Sequence, residues 1–236
     1  MWIALLVYAY QANGGASAAG VMALVQLIPG ALLSPYFGSF ADRWRCGRVL
    51  AGAYLALTGS MALVAGLMAL GAPRFWVFAL APLTNLAICV PRPAQAALLP
   101  SIVNTPEELA ASNAGQGWLE SAATLVAPIG VALLLATGGP ALAVAGLTVV
   151  TTCAVVLVVT IAGPPPFAPA DEDGPAEKAE SGLRTVVRNP LVLLLVVVLG
   201  SQYVLVGALD LIYVVLAFGV LGMGQGGPGY LTAAFG

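Results

Sequence analysis

The residues able to do chemistry in this chain are few, and four of them stand together. Asp42, Arg43, Arg45 and Arg48 fall within the stretch Gly38-Ser-Phe-Ala-Asp-Arg-Trp-Arg-Cys-Gly-Arg48, although only 8% of the 236 residues are charged. No charge occurs in residues 1–41 or 49–73. A carboxylate set among guanidiniums can pair with cationic groups or with a helix N-terminus, and can let go when its surroundings change. Elsewhere, single polar groups interrupt long apolar runs: Gln26, Asn85, Arg92, Glu120, Gln202 and Asp210. At membrane depth such groups must face protein or water, where they contact a ligand, carry a proton or tie helices together.

Absences narrow the chemistry. The chain has no His, which removes His-based triads and His–Zn sites. Its one Lys, Lys178, is followed by Ala179, so there is no Gly-Lys-Ser/Thr phosphate loop. Cys46, Cys89 and Cys153 are scattered and read as small apolar fillers. The ten acids form no catalytic or metal-binding constellation at one interface. No catalytic set, metal site, cofactor or nucleic-acid partner is expected, and an integral-membrane enzyme is the least supported class.

The elements that must position these residues are transmembrane helices. Hydrophobic residues make up 60% of the chain and mean hydropathy is +0.99, too little polar surface to coat a water-soluble globule. The apolar runs are continuous rather than alternating, which argues for an all-α integral membrane protein over a barrel. Residues 1–10 would cover about 15 Å, half a bilayer, and read as part of an incomplete first helix. A second helix is expected from about Ala18 to Phe40, kinked at Pro29 and Pro35, and a third from Val49 to Gly71. A fourth starts at Phe75 and should distort or end near Pro91-Arg92-Pro93. Thr105-Pro106-Glu107-Glu108 has the pattern of a capped helix start, with Thr at N-cap, Pro at N1 and Glu at N3. Thr137-Gly138-Gly139-Pro140 should divide the uncharged residues 121–170 into a fifth and a sixth helix.

Three regions follow: a six-helix unit over 1–163, a Pro-rich acidic linker over 164–189, and a unit over 190–236. The last holds a seventh helix opened by Asn189-Pro190 and the start of an eighth. With strict alternation, Arg43, Arg45, Arg48, Arg92, Lys178, Arg184 and Arg188 fall on one side and Arg74 alone on the other. That bias makes 41–48, 92–106 and 164–189 cytoplasmic. The third and sixth helices carry no Asp, Glu, Lys, Arg, Asn or Gln, so they can face lipid while the others line a cavity.

The Gly38–Arg48 stretch, lying between a second and a third span, resembles the loop signature of the major facilitator superfamily of secondary transporters. Arg92-Pro-Ala-Gln-Ala-Ala-Leu-Leu-Pro100 and Ala111-Ser112-Asn113-Ala114 are similar to the region of helices four and five in its bacterial exporter-like permeases. Ala127-Pro128-Ile129-Gly130 sits where exporters carry Gly-Pro-x-x-Gly-Gly, with Ala127 and Val131 replacing two of those glycines. Gly207-Ala208-Leu209-Asp210 and Gly229–Ala234 look like the start of the group's second half.

The resemblance implies a truncated bundle of that type in a bacterial plasma membrane: a partial helix 1, helices 2–7 and the start of helix 8. Every third helix would lie at the periphery, and a facing C-terminal bundle would be the chain's partner. It implies proton-coupled efflux of a small, partly apolar molecule by alternating access. Gly38, Asp42, Arg43, Arg45 and Arg48 would form a conformational latch. Asp210, Glu120, Arg92, Gln26, Asn85 and Gln202 are the candidate cavity or coupling residues. Without the rest of the second bundle, Asp210 is expected to face lipid. The alternative is a truncated or degenerate permease kept as a membrane scaffold or sensor.

Overall fold

Apolar surroundings leave backbone N–H and C=O groups no outside partner, and helices satisfy them within the segment. The computed structural model describes residues 1–13, 15–43, 46–103, 105–161 and 184–235, with no strand among them. Its elements are α1 (Trp2–Asn13), α2 (Ala16–Arg43), α3 (Cys46–Ala69), α4 (Arg74–Ile88), α5 (Pro91–Ile102), α6 (Pro106–Ile161), α7 (Pro190–Gly219) and α8 (Gly227–Phe235). Five stretches are long and apolar enough to cross a membrane by length and composition.

Local chemistry sets the helix ends. α3 stops at Gly71, whose φ of 66° is cheap only for glycine. Ala72 N–H bonds Leu67 O at 2.9 Å and Gly71 N–H bonds Met68 O at 3.2 Å, the paired bonds of a Schellman cap. The expected start of α6 holds, with Glu108 N–H donating to Thr105 Oγ1 at 3.2 Å. Asn189 caps α7 by accepting from Leu191 N–H at 3.2 Å.

The division at Thr137–Pro140 is also found. Gly139 has φ 72° and ψ −169°, a conformation open essentially to glycine alone. A Cβ on Gly146 would lie 2.7 Å from the Leu134 side chain. In a straight helix those residues would be about 18 Å apart, so α6 is a hairpin whose arms are the fifth and sixth spans.

Three expected boundaries are corrected. The segment 41–48 is not an open loop: α2 continues to Arg43 and α3 begins at Cys46. The segment 92–106 is mostly helix α5, because Pro91 and Pro93 fall in the first turn, where a missing N–H costs nothing. α8 starts at Gly227, three residues before the expected Tyr230.

α1 runs through the middle. Leu5, Leu6 and Val7 are fully buried, with Met22 of α2, Val64 of α3, Val77 of α4, Leu135 and Val144 of the hairpin and Val214 of α7 in the same core. α3 and the second arm of α6, both uncharged once past Arg48, pack on each other, Met61 against Thr151. α7 packs against α1 and α2, and α8 against the first arm of α6.

One end of the bundle gathers Gln11, Arg74, Gly138 and Pro140. The same hairpin turn meets Met223–Gly226 there. At the opposite end, Leu50 and Ala94 pack with Val158. Alternating helix direction is therefore present in the structure.

Candidate functional site

The candidate polar residues sort into three separate places. In the core, Gln26 is 2% exposed, and Asn85 Nδ2 donates to its backbone oxygen at 2.6 Å. This joins α4 to α2 one turn before Gly30, where a Cβ would come within 3.0 Å of Asn85 Nδ2. Gln26 Nε2 is buried with no hydrogen-bond partner. The Asn85 side chain thus ties α4 to the backbone of α2, while the Gln26 side-chain amide donor is left unused.

At the basic end, Arg92 of α5 forms an ion pair with Glu120 of α6. Their side chains are 69% and 53% exposed, so the pair sits at the rim and not in a sealed site. Beside it, Gln95 Nε2 donates to the Tyr54 hydroxyl of α3 at 3.1 Å. These contacts tie α5 to α6 and to α3. Separate in sequence, Arg92 and Glu120 carry no signal of their pairing.

The third place is the seam between α1 and α7. Tyr10 and Phe218 stack there with ring centroids 5.0 Å apart and an interplanar angle of 15°. Asp210 is half-buried on α7, the helix that packs against α1 and α2. Trp2 Nε1 is buried and closes no hydrogen bond of good geometry with any group. Expected to face lipid, Asp210 is instead partly covered, with intermediate exposure on its helix. Gln202 is exposed, as are the large apolar side chains from Leu191 to Val206 apart from Val192, so it does not join the other candidates.

Of Ala127, Pro128 and Gly130, only Pro128 meets the second unit. A Cβ on Gly229 would lie 2.7 Å from Ala132 Cβ and 2.9 Å from Pro128 O, so α8 touches the first arm of α6 backbone to backbone. Ala127 and Gly130 lie exposed, and nothing comes within 4 Å of a Cβ placed on Gly130. At that end the turn Thr137–Pro140 and residues Met223–Gly226 line an open cleft of about 510 Å³. Gln225 Oε1 is buried without a partner at its edge. Trp2 and Gln225 went unmarked in the sequence because a lone Trp reads as an interfacial anchor and Gln225 lies among loop glycines.

In the latch motif, Gly38, Asp42 and Arg43 lie in the last turns of α2 and Arg48 in the first turn of α3. The side chains of Asp42, Arg43 and Arg48, and Arg45 altogether, lie outside the described residues, as does the linker 164–183. No group of three or more His, Cys, Asp or Glu able to hold a metal occurs among the described residues. No protein-family profile, curated protein or solved structure matches the chain.

Proposed function

We propose that this chain is the first bundle, with the opening helices of the second, of a secondary transporter of the major facilitator type. Its work would be export of a small, partly apolar molecule in exchange for protons across a bacterial plasma membrane, basic end inward. The observation that carries the reading is where α7 and α8 dock. They meet α1, α2 and the first arm of α6, while α3 and the second arm, uncharged once past Arg48, pack together elsewhere. A joint built on helices bearing Gln26, Asp210 and Pro128 is what two rocking bundles need, with polar groups facing the space between them.

The joint is tight at one end and open at the other. The outer part of α7 buries Val214 and Ala217, and Gly226 and Gly229 press α8 onto α6. From Leu191 to Val206, at the basic end, α7 exposes its apolar side chains. This arrangement supports a cavity reached from the cytoplasmic side. A carboxylate at the seam, Asp210, is the group suited to exchange a proton, because a charge held there costs free energy unless hydrated, paired or protonated.

The test uses inside-out vesicles carrying the protein as encoded by its complete reading frame. Under an imposed proton gradient, ethidium and Hoechst dyes should accumulate faster than in vesicles without the protein. Asp210→Asn should abolish the gradient-dependent part while preserving expression. Equal accumulation by parent and Asp210→Asn vesicles would remove Asp210 from the mechanism, and no accumulation by the parent would remove efflux of such compounds.

A further inference from the structure

At the end of the bundle that holds Arg74, two chain reversals meet the end of α1. The Gly71 cap turns α3 into α4, and the Gly139 turn folds α6 back on itself. Between them lies an open cleft of about 330 Å³, lined by Tyr8 and Gln11 of α1, Met68 of α3, Arg74 of α4 and the turn residues Gly138 and Pro140. That volume stands at the lower end of the range for small-molecule sites, about 300–1,000 Å³. The cleft shares Gly138 and Pro140 with the one at Met223–Gly226, but its other walls are α1, α3 and α4.

The chemistry of the lining is one-sided. Arg74 brings a positive charge and a planar fork of five donors, so it can take a phosphate in two bonds and keep a further partner. Gln11 offers an amide, and Tyr8, one turn earlier on the same face of α1, offers a hydroxyl. No carboxylate lines the cleft among the described residues. An anion is therefore met by charge and hydrogen bonds, while an ammonium group would find no counter-charge. Apolar surface flanks this polar part. Leu70, Phe75 and Trp76, on either side of the turn that carries Arg74, are 85%, 72% and 53% exposed. Phe75 and Trp76 meet edge to face with centroids 5.7 Å apart. Such side chains suit the level where headgroups give way to hydrocarbon. A ligand with an anionic head and an apolar tail uses both surfaces, whereas a soluble anion uses only one.

We infer that this cleft is a lipid site: Arg74, Gln11 and Tyr8 hold the phosphate and hydroxyls of an anionic phosphoglyceride, whose acyl chains run along Phe75 and Trp76. Held there, the lipid ties the ends of α1, α3 and α4 to the turn of α6. The site rests on the reading of the chain as membrane-spanning, and not on export.

Native mass spectrometry of the full chain, titrated with lipid in detergent, reads the preference. The first adduct of phosphatidylglycerol should form at about fivefold lower concentration than that of phosphatidylcholine, the factor one surface cation supplies. Arg74→Gln should erase the difference, Arg74→Lys should keep part of it, and Arg188→Gln, at the other end, should leave it intact. Location is read from Trp76 fluorescence, taken as the parent signal minus that of Trp76→Phe. Phosphatidylglycerol with brominated acyl chains should quench it more than brominated phosphatidylcholine at equal mole fraction, and Arg74→Gln should equalise the two. An equal preference in parent and Arg74→Gln, or its loss in Arg188→Gln instead, overturns the site. If glycerol 1-phosphate binds as tightly as the lipid, the cleft takes a soluble phosphate ester and the lipid assignment falls. Absence of dye movement in the vesicle assay bears on export alone.

Discussion

Replacing Gly229 by alanine asks whether α8 really rests on the backbone of α6. The new Cβ would meet Ala132 Cβ at 2.7 Å, Pro128 O at 2.9 Å and Ala132 Cα at 3.0 Å. Carbon atoms rest about 3.5–4.0 Å apart, so the helices must separate by most of an ångström, and two of the three obstacles are backbone. Overpacking of this kind costs about 1–3 kcal/mol. Alanine in a helix interior returns about 1 kcal/mol over glycine, which leaves a net loss of up to about 2 kcal/mol. Gly59→Ala in α3 is the matched control, because nothing lies within 4 Å of its Cβ and only the propensity gain applies. The difference between the two variants, about 1–3 kcal/mol, isolates the clash. Midpoints of thermal unfolding in one detergent, followed by fluorescence-detected size exclusion, should fall for Gly229→Ala and hold or rise for Gly59→Ala. If Gly229→Ala melts at or above Gly59→Ala, the close approach of α8 to α6 is wrong.

Other outcomes follow from single contacts. Removing the Arg92–Glu120 pair by Glu120→Gln should change stability by less than about 1 kcal/mol, since both side chains are more than half exposed. A larger loss by the same unfolding assay would show the pair to be sealed from solvent. Alkaline phosphatase fused after position 174 should be inactive and after Gly226 active, given seven basic residues on one side and one on the other. Activity from the first fusion would invert the topology.

Much of the helical plan was legible because punctuation in this sequence is strong. Gly139 with Pro140, Thr105 with Pro106, and Asn189 with Pro190 are each read the same way from sequence and structure. What sequence could not give was partnership across helices. Arg92 and Glu120 each look like interfacial charges until α5 and α6 bring them together. The half-burial of Asp210 was illegible for a related reason: periodicity along α7 carries no information about which helices, here α1 and α2, lie opposite. The boundaries failed where charge was read as loop: α2 and α3 run on through most of 41–48, since a helix end tolerates charge as well as a loop does.

The hairpin of α6 also bears on how such a chain enters a bilayer. Its two arms carry no charge from Ser121 to Ile161, and the turn that must cross is only Thr137-Gly138-Gly139-Pro140. A single charged side chain at the middle of a span costs about 2.5–3.5 kcal/mol on insertion scales, and this turn has none to carry across. Thr137 Oγ1 already donates to Leu133 O at 2.9 Å, so even its hydroxyl arrives with a partner inside the helix. In a bilayer the two arms would cross as one event, with Glu120 left behind on the side of entry. Their relative alignment would be set before α7 is synthesised, leaving a finished surface on the first arm for α8 to find.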